Sequence, residues 1–226
     1  MSLRRGTCYA APEQKDGTVG LLVLSNNVAN RTTREATACP VFEAPPHDRA
    51  VPVGPGWANI EVLTPRSAAS LPSVAFEAGE EELDDVGRAL ADLLLIPELT
   101  TGGYVAPEPP AGDYPRWGTI YYAEPPLSGQ IKRWMVVSHD VFNASSDDVL
   151  CVRTTSRTDL QSPEIPLLQS GFAAAVCPDV QVKAQRRFDV ASASELPQPD
   201  ASDRRRVAYG LANYLRLQTF AGRTAS

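Results

Sequence analysis

Two cations, Lys132 and Arg133, stand directly before an apolar run, Trp134 to Val137. Three hydroxyls, Thr154, Thr155 and Ser156, stand directly after another, Val149 to Val152, with Arg153 between and Arg157 just beyond. Runs of this length with β-branched members read as buried strands. The polar stretch from Ser138 to Asp148 carries turn chemistry. If the chain reverses there, the strands pair antiparallel and their outer ends lie side by side. Cationic groups would then meet hydroxyl donors, which is the equipment to hold a phosphate and to stabilise charge developing on it. The same pattern also describes a polar sheet edge with solvated charges. His139 adds a group that titrates near neutral pH, as a base or simply as a cap for the turn. Strand pleating sends Arg133 to the face opposite Lys132 unless a bulge intervenes.

The surrounding composition sets limits. A chain of 226 residues, 43% hydrophobic, can bury one large core or two small ones. With 20 prolines and 15 glycines it reads as loop-rich, which favours β structure over a helix bundle. The net charge of −6 argues against a generic nucleic-acid binder. A local basic face remains, because Lys132, Arg133, Arg153, Arg157, Arg186 and Arg187 all fall in the second half. Cys8, Cys39, Cys151 and Cys177 lack the close spacing of a zinc site, and two histidines cannot build a histidine metal cluster. No cofactor is expected. The first residues lack the apolar core of a secretory signal, and no run approaches the roughly 20 apolar residues of a membrane span. The expectation is a cytoplasmic protein.

The elements that must position these groups occur twice. Arg5-Gly6-Thr7-Cys8-Tyr9-Ala10 returns as Trp117-Gly118-Thr119-Ile120-Tyr121-Tyr122. Val23-Leu24-Ser25-Asn26-Asn27 returns as Val136-Val137-Ser138-His139-Asp140, with Asn30 matched by Asn143. A helical pattern closes each half, Val86 to Leu94 and Val207 to Leu215, with one apolar face at a 3.6-residue period. Three blocks in the same order make a tandem repeat the expectation. Its halves are 1–96 and 115–226, joined by a proline-rich linker over 97–114. Each half should be a small barrel of short strands with a terminal helix, the two packed as a pseudo-two-fold pair. Acidic residues Glu80 to Asp85 suit the dipole at the start of the first helix. Arg204, Arg205 and Arg206 at the start of the second do not, and they read as a solvated face or as contacts for an acidic partner. Tyr121 and Trp134 are candidates for base stacking or for core packing.

On these blocks the chain resembles the MazF/PemK toxin family. Its second half shows the pattern in Trp117-Gly118-Thr119-Ile120-Tyr121, Lys132-Arg133-Trp134-Met135-Val136-Val137-Ser138-His139-Asp140 and Cys151-Val152-Arg153-Thr154-Thr155-Ser156. The first half shows it in Arg5-Gly6-Thr7-Cys8-Tyr9 and Val19-Gly20-Leu21-Leu22-Val23-Leu24-Ser25-Asn26-Asn27. The resemblance implies a mainly β fold of two SH3-like barrels, a fused pseudo-dimer. It also implies a metal-independent endoribonuclease that cuts single-stranded RNA and is neutralised by a cognate antitoxin. The family's arginine and threonine map onto Lys132 and Thr155, whereas the first half holds Val19 and Phe42 there. The expected site is therefore catalytic Lys132, Arg133 and Thr155, with Arg153, Ser156, Arg157 and His139 contacting RNA. Lysine in place of arginine lacks the bidentate fork. This departure keeps two other readings open, a CcdB-like gyrase-binding toxin and an inactive antitoxin-binding pseudo-toxin.

Overall fold

The computed structural model describes residues 3–11, 17–71, 73–94, 108, 111–123, 131–160, 164–168 and 174–217. Most of the proline-rich segment, the loop residues 12–16 and 124–130, and the Cys177 side chain lie outside them. The first half runs β1 (Thr7–Ala10), β2 (Thr18–Val23), α1 (Asn27–Thr33), β3 (Glu35–Phe42), β4 (Val51–Val53), β5 (Gly56–Ala58), β6 (Thr64–Ser67), β7 (Val74–Glu77) and α2 (Glu80–Leu93). The second runs β8 (Ile120–Ala123), β9 (Lys132–Val136), α3 (Asp140–Ser145), β10 (Asp148–Thr155), β11 (Glu164–Pro166), β12 (Ala174–Ala184), β13 (Phe188–Asp189) and α4 (Ala201–Tyr214).

The first sheet has the order β4-β5-β3-β2-β1-β7, with β6 also on β3, and the second has β11-β12-β10-β9-β8-β13. These are the same order. The long strand β12 does alone what β5 and β6 do together. Its Ala174–Val176 pairs with Arg153–Thr155, as β5 pairs with Val41 and Phe42. Its Gln181–Ala184 pairs with Asp148–Cys151, as β6 pairs with Glu35–Ala38. The protein is mainly β, in two small lobes paired as a pseudo-dimer.

The polar stretch read as a plain turn contains a short helix in both lobes. Its first turn is organised by side chains that the turn reading had assigned to loop chemistry. Asn26 caps α1 by accepting from the Ala29 N–H at 2.8 Å, and His139 Nδ1 caps α3 by accepting from the Phe142 N–H at 3.1 Å. Beneath each cap lies a buried amide–hydroxyl pair. Ser25 Oγ meets Asn30 Oδ1 at 2.6 Å, and Ser138 Oγ meets Asn143 Oδ1 at 2.5 Å. Each asparagine also donates to the backbone where its lobe begins, Leu3 O at 3.2 Å and Pro115 O at 3.0 Å. Buried polar groups are tolerated because they are satisfied in this way.

Helix α2 starts at Gly79, where Glu82 accepts from both the Gly79 and Gly54 N–H groups at 2.7 Å, so one of the acidic residues does local capping. Two of the three arginines opening α4, Arg204 and Arg206, are likewise absorbed locally, while Arg205 is exposed. Arg204 lies over Gly118 and donates to Pro199 O at 3.1 Å, while Arg206 pairs with buried Asp203. Gly6 and Gly118 have φ of 81° and 71°, and a Cβ on either would sit 2.7 Å from Leu83 or Arg204. Both positions therefore demand glycine.

The long helices tie the lobes together. The Asn26 N–H donates to Tyr214 O at the end of α4 at 2.8 Å, and the His139 N–H donates to Leu93 O at the end of α2 at 3.1 Å. One apolar cluster draws on both lobes, with Leu22, Leu24 and Leu90 from the first and Met135, Val207 and Leu211 from the second. Smaller clusters, Tyr9 with Val23 and Tyr121 with Trp134 and Phe188, cover the outer faces of the sheets. Cys8, Cys39 and Cys151 are buried, and burial pushes the Cys8 thiol up to about 12 and raises Cys39 as well. No helix among the described residues is long and apolar enough to cross a membrane.

Two predictions follow from this seam. Tyr214→Phe removes the 3.0 Å contact between the Tyr214 hydroxyl and buried Thr37, and should cost about 1–3 kcal/mol in urea unfolding. Burial and the nearby Arg49 charge lower the pKa of His139, with Asp140 opposing them. A base with a lowered folded pKa contributes stability that is complete above its unfolded value of about 6.5 and lost as pH falls through the folded value. Urea midpoints should therefore drop between pH 7 and pH 5 in the native protein. The drop should be smaller in His139→Asn, which keeps a capping oxygen of the kind Asn26 supplies.

Candidate functional site

Strands β9 and β10 pair without a register shift: Val136 opposes Cys151, Met135 opposes Val152 and Trp134 opposes Arg153. Carrying that register on by two residues sets Lys132 opposite Thr155 at the outer end of the sheet. On the other side, Tyr122 opposes Arg133 and Ala123 opposes Lys132. Cross-strand partners share a face and neighbours alternate. Lys132, Arg153 and Thr155 therefore share the outer face with Trp134 and Tyr121. Arg133 lies on the inner face with Tyr122, and no bulge on β9 brings it over.

An open groove of about 530 Å³ wraps this end of the sheet, lined by Lys132, Arg133, Arg153, Thr155, Ser156 and Glu164 among others. Its polar walls bring together most of the groups singled out in the sequence, on two faces rather than one. Thr154 is 6% exposed and donates to Arg133 O at 3.2 Å, so it staples β10 to β9. Thr155 is half-buried, and its Oγ1 accepts the Arg157 N–H at 3.1 Å, which closes a tight local turn. Ser156 is exposed at the rim.

One expected site residue, His139, is placed elsewhere. His139 lies past the far end of β9, as the N-cap of α3, whereas Lys132 begins that strand, so the length of β9, roughly 13 Å at about 3.3 Å per residue, separates it from the groove end. It sits at the seam between lobes, where Nδ1 is committed to capping α3, so it does not reach the groove. Arg157 also lines the groove, and there its guanidinium is paired with Glu164 at 2.5 Å and with Asp159 at 3.3 Å, which raises its pKa. Of the two roles open to Tyr121 and Trp134, exposures of 2% and 4% select core packing.

Two groups were missed in the sequence. Glu164, on edge strand β11, has a side chain only 7% exposed yet contributes to the groove wall. Lys183 lies on β12 with its Nζ 4.0 Å from the centroid of the Trp134 ring, a cation–π contact that adds positive charge to the outer face. The alternation Val180-Gln181-Val182-Lys183 could have indicated that Lys183 shares a face with Gln181. Nothing in the sequence signalled Glu164, because its place depends on β11 folding back onto β12.

Among the described residues, the equivalent end of the first lobe has no such groove chemistry. A register shift between Thr18 and Gly20 makes Thr18, not Val19, the residue opposite Phe42, and Val19 packs against the shared core. Neither residue carries charge. A second concavity of about 390 Å³ at the seam is walled by Asn26, Asn27, Thr32, Asn213 and Arg216, and offers one cation and neutral amides.

No protein-family model matches the chain, and no curated protein sequence matches it. Solved structures do. An endoribonuclease in complex with its cognate antitoxin from a mycobacterial species is 19% identical, covering 46% of this chain and 96% of that one with a TM-score of 0.35. A second mycobacterial endoribonuclease is 23% identical over 40% of this chain and 89% of its own, with a TM-score of 0.36. A MazE-MazF structure from Deinococcus radiodurans is 17% identical over 45% of this chain and 95% of its own, with a TM-score of 0.37. Over somewhat less than half its length, then, this chain is similar to solved MazF endoribonuclease structures.

Proposed function

We propose that the second lobe is a metal-independent endoribonuclease that cuts single-stranded RNA, and that the protein is the toxin of a toxin–antitoxin pair acting in the cytoplasm. In this reading residues 1–96 and 115–226 are two SH3-like units joined through 97–114. The first unit is degenerate at its site and serves as a scaffold. The single observation that carries the reading is the meeting of Lys132, Arg153 and Thr155 on one face at one end of the second sheet, in an open polar groove. The resemblance of both halves to the MazF/PemK pattern supplies the substrate class.

The ribose 2′-oxygen attacks the adjacent phosphorus, the bond from phosphorus to the 5′-oxygen breaks, and a cyclic phosphate and a free 5′-hydroxyl result. The 2′ proton leaves to water, and the departing oxygen takes one up. Lys132 and Arg153 stabilise the charge that grows on the phosphoryl oxygens, and the Thr155 hydroxyl donates a hydrogen bond to one of them. Such groups accelerate reaction because they are already oriented when the charge appears. Arg133 borders the groove from the inner face and contributes to the surrounding potential.

Purified protein incubated with a long single-stranded RNA and a chelator should yield fragments with 5′-hydroxyl and cyclic phosphate ends. Lys132→Ala and Thr155→Ala should each cut at least about 100-fold more slowly. Substitutions at Val19 or Phe42 that preserve folding should leave the rate unchanged. Cleavage that survives both groove variants, or that stops with the chelator, removes the assignment. Gyrase inhibition without RNA cleavage selects the binding-toxin reading instead.

A further inference from the structure

We infer that Glu164 is a positioning residue for Thr155, acting through Arg157, an inference that rests on the nuclease reading above for its catalytic consequence. Thr155 is the last residue of β10, where its backbone still pairs with Ala174 of β12 but its side chain stands at the open end of the sheet. A threonine hydroxyl there would ordinarily be mobile, and a donor that must be oriented before charge develops cannot be. Among the described residues, that hydroxyl oxygen takes one hydrogen bond, from the Arg157 N–H at 3.1 Å. Because that N–H occupies an acceptor position of the oxygen, the hydroxyl's own proton remains available to a group in the groove.

The turn is in turn anchored at a distance. Arg157 Nη2 reaches Glu164 Oε1 at 2.5 Å, and Glu164 stands on β11, whose register against β12 is Glu164 with Val176. Strand β12 pairs back to β10 at Arg153–Thr155, so the hydroxyl, the turn and the carboxylate form a closed loop of contacts around one edge of the sheet. Glu164 has a side chain only 7% exposed, whereas Asp159, the second carboxylate on Arg157, has one that is 73% exposed. The more enclosed carboxylate is the one that can hold a guanidinium in a fixed place, since an exposed pair is weak and screened. Arg157, whose side chain is 51% exposed and also lines the groove, is accordingly the strap between an edge strand and the donor.

The test uses the full chain with Glu164→Gln, Glu164→Asp, Arg157→Ala and the Glu164→Gln/Arg157→Ala double variant, each checked by thermal melting. Three-bond couplings to the Thr155 methyl report its χ1 rotamer without reference to catalysis. Single-turnover cleavage reports the rate, and binding of a 2′-O-methyl RNA that cannot be cut reports affinity. The expected result is one Thr155 rotamer in the native protein and averaging in Glu164→Gln and Arg157→Ala. The cleavage rate should fall about 10- to 100-fold in both, with RNA affinity within about twofold and partial recovery in Glu164→Asp. The double variant should be no worse than either single one. An unchanged rotamer overturns the inference whatever the enzyme does, and so does a loosened rotamer with an undiminished rate. Tighter RNA binding in Glu164→Gln with weaker binding in Arg157→Ala would also overturn it, by making Arg157 a direct phosphate contact. If the native protein cuts no RNA, the nuclease reading fails on its own. The rotamer measurement alone then decides whether Glu164 holds Thr155.

Discussion

The structure depends on a reciprocal exchange of backbone hydrogen bonds between its lobes. A helix end leaves carbonyls without partners, and a helix start leaves N–H groups without partners. Here the carbonyl that ends α4 is met by the N–H of Asn26 in the first lobe. The carbonyl that ends α2 is met by the N–H of His139 in the second. Each lobe therefore completes the other's helix at the residue that starts its own short one. Around these two contacts lies an apolar core to which both lobes contribute. Neither sheet has its buried face covered by its own lobe alone.

This constraint explains which features the halves share. The Ser25–Asn30 and Ser138–Asn143 pairs hold the short helices at the seam and keep the same partners in both lobes. A buried polar pair cannot lose one member without leaving the other unsatisfied, at a cost of about 1–3 kcal/mol. The outer end of each sheet is under no such constraint. There one lobe has Thr18 facing Phe42, with Val19 folded into the core, and the other has Lys132 and Thr155 in a groove. Two lobes that share a seam are free to differ at their far ends, and the division between scaffold and site follows from that freedom.

The groove itself is an edge phenomenon. Interior β10 positions such as Val152 and Thr154 are occupied by packing or by stapling to β9. Only where the strands run out do side chains of both faces border the same solvent-filled space. That geometry gathers cations from two faces, and it also leaves the terminal donor without the support a mid-sheet residue has. Support comes instead from the turn after β10 and from the strand that folds back beside it.

Much of this was legible in the sequence, because it follows from local periodicity. The apolar runs, the amphipathic closing helices, the recurring blocks and the pleat that parts Arg133 from Lys132 need only the regular geometry of helix and strand. The side-by-side ends of β9 and β10 follow from chain reversal. Tertiary structure alone decided the rest, through contacts that local periodicity does not specify. His139 stands at the seam, away from the groove, because its N–H meets Leu93 O at the end of α2 and Arg49 lies close by. The Arg157 charge is paired with Glu164, seven residues on, because β11 and β12 lie side by side. Val19 left the position its alignment assigns because a register shift, which no residue type announces there, moved Thr18 opposite Phe42. Local sequence sets which side chains can share a face. Which distant charge, carbonyl or strand meets them is set only when the two lobes close on each other.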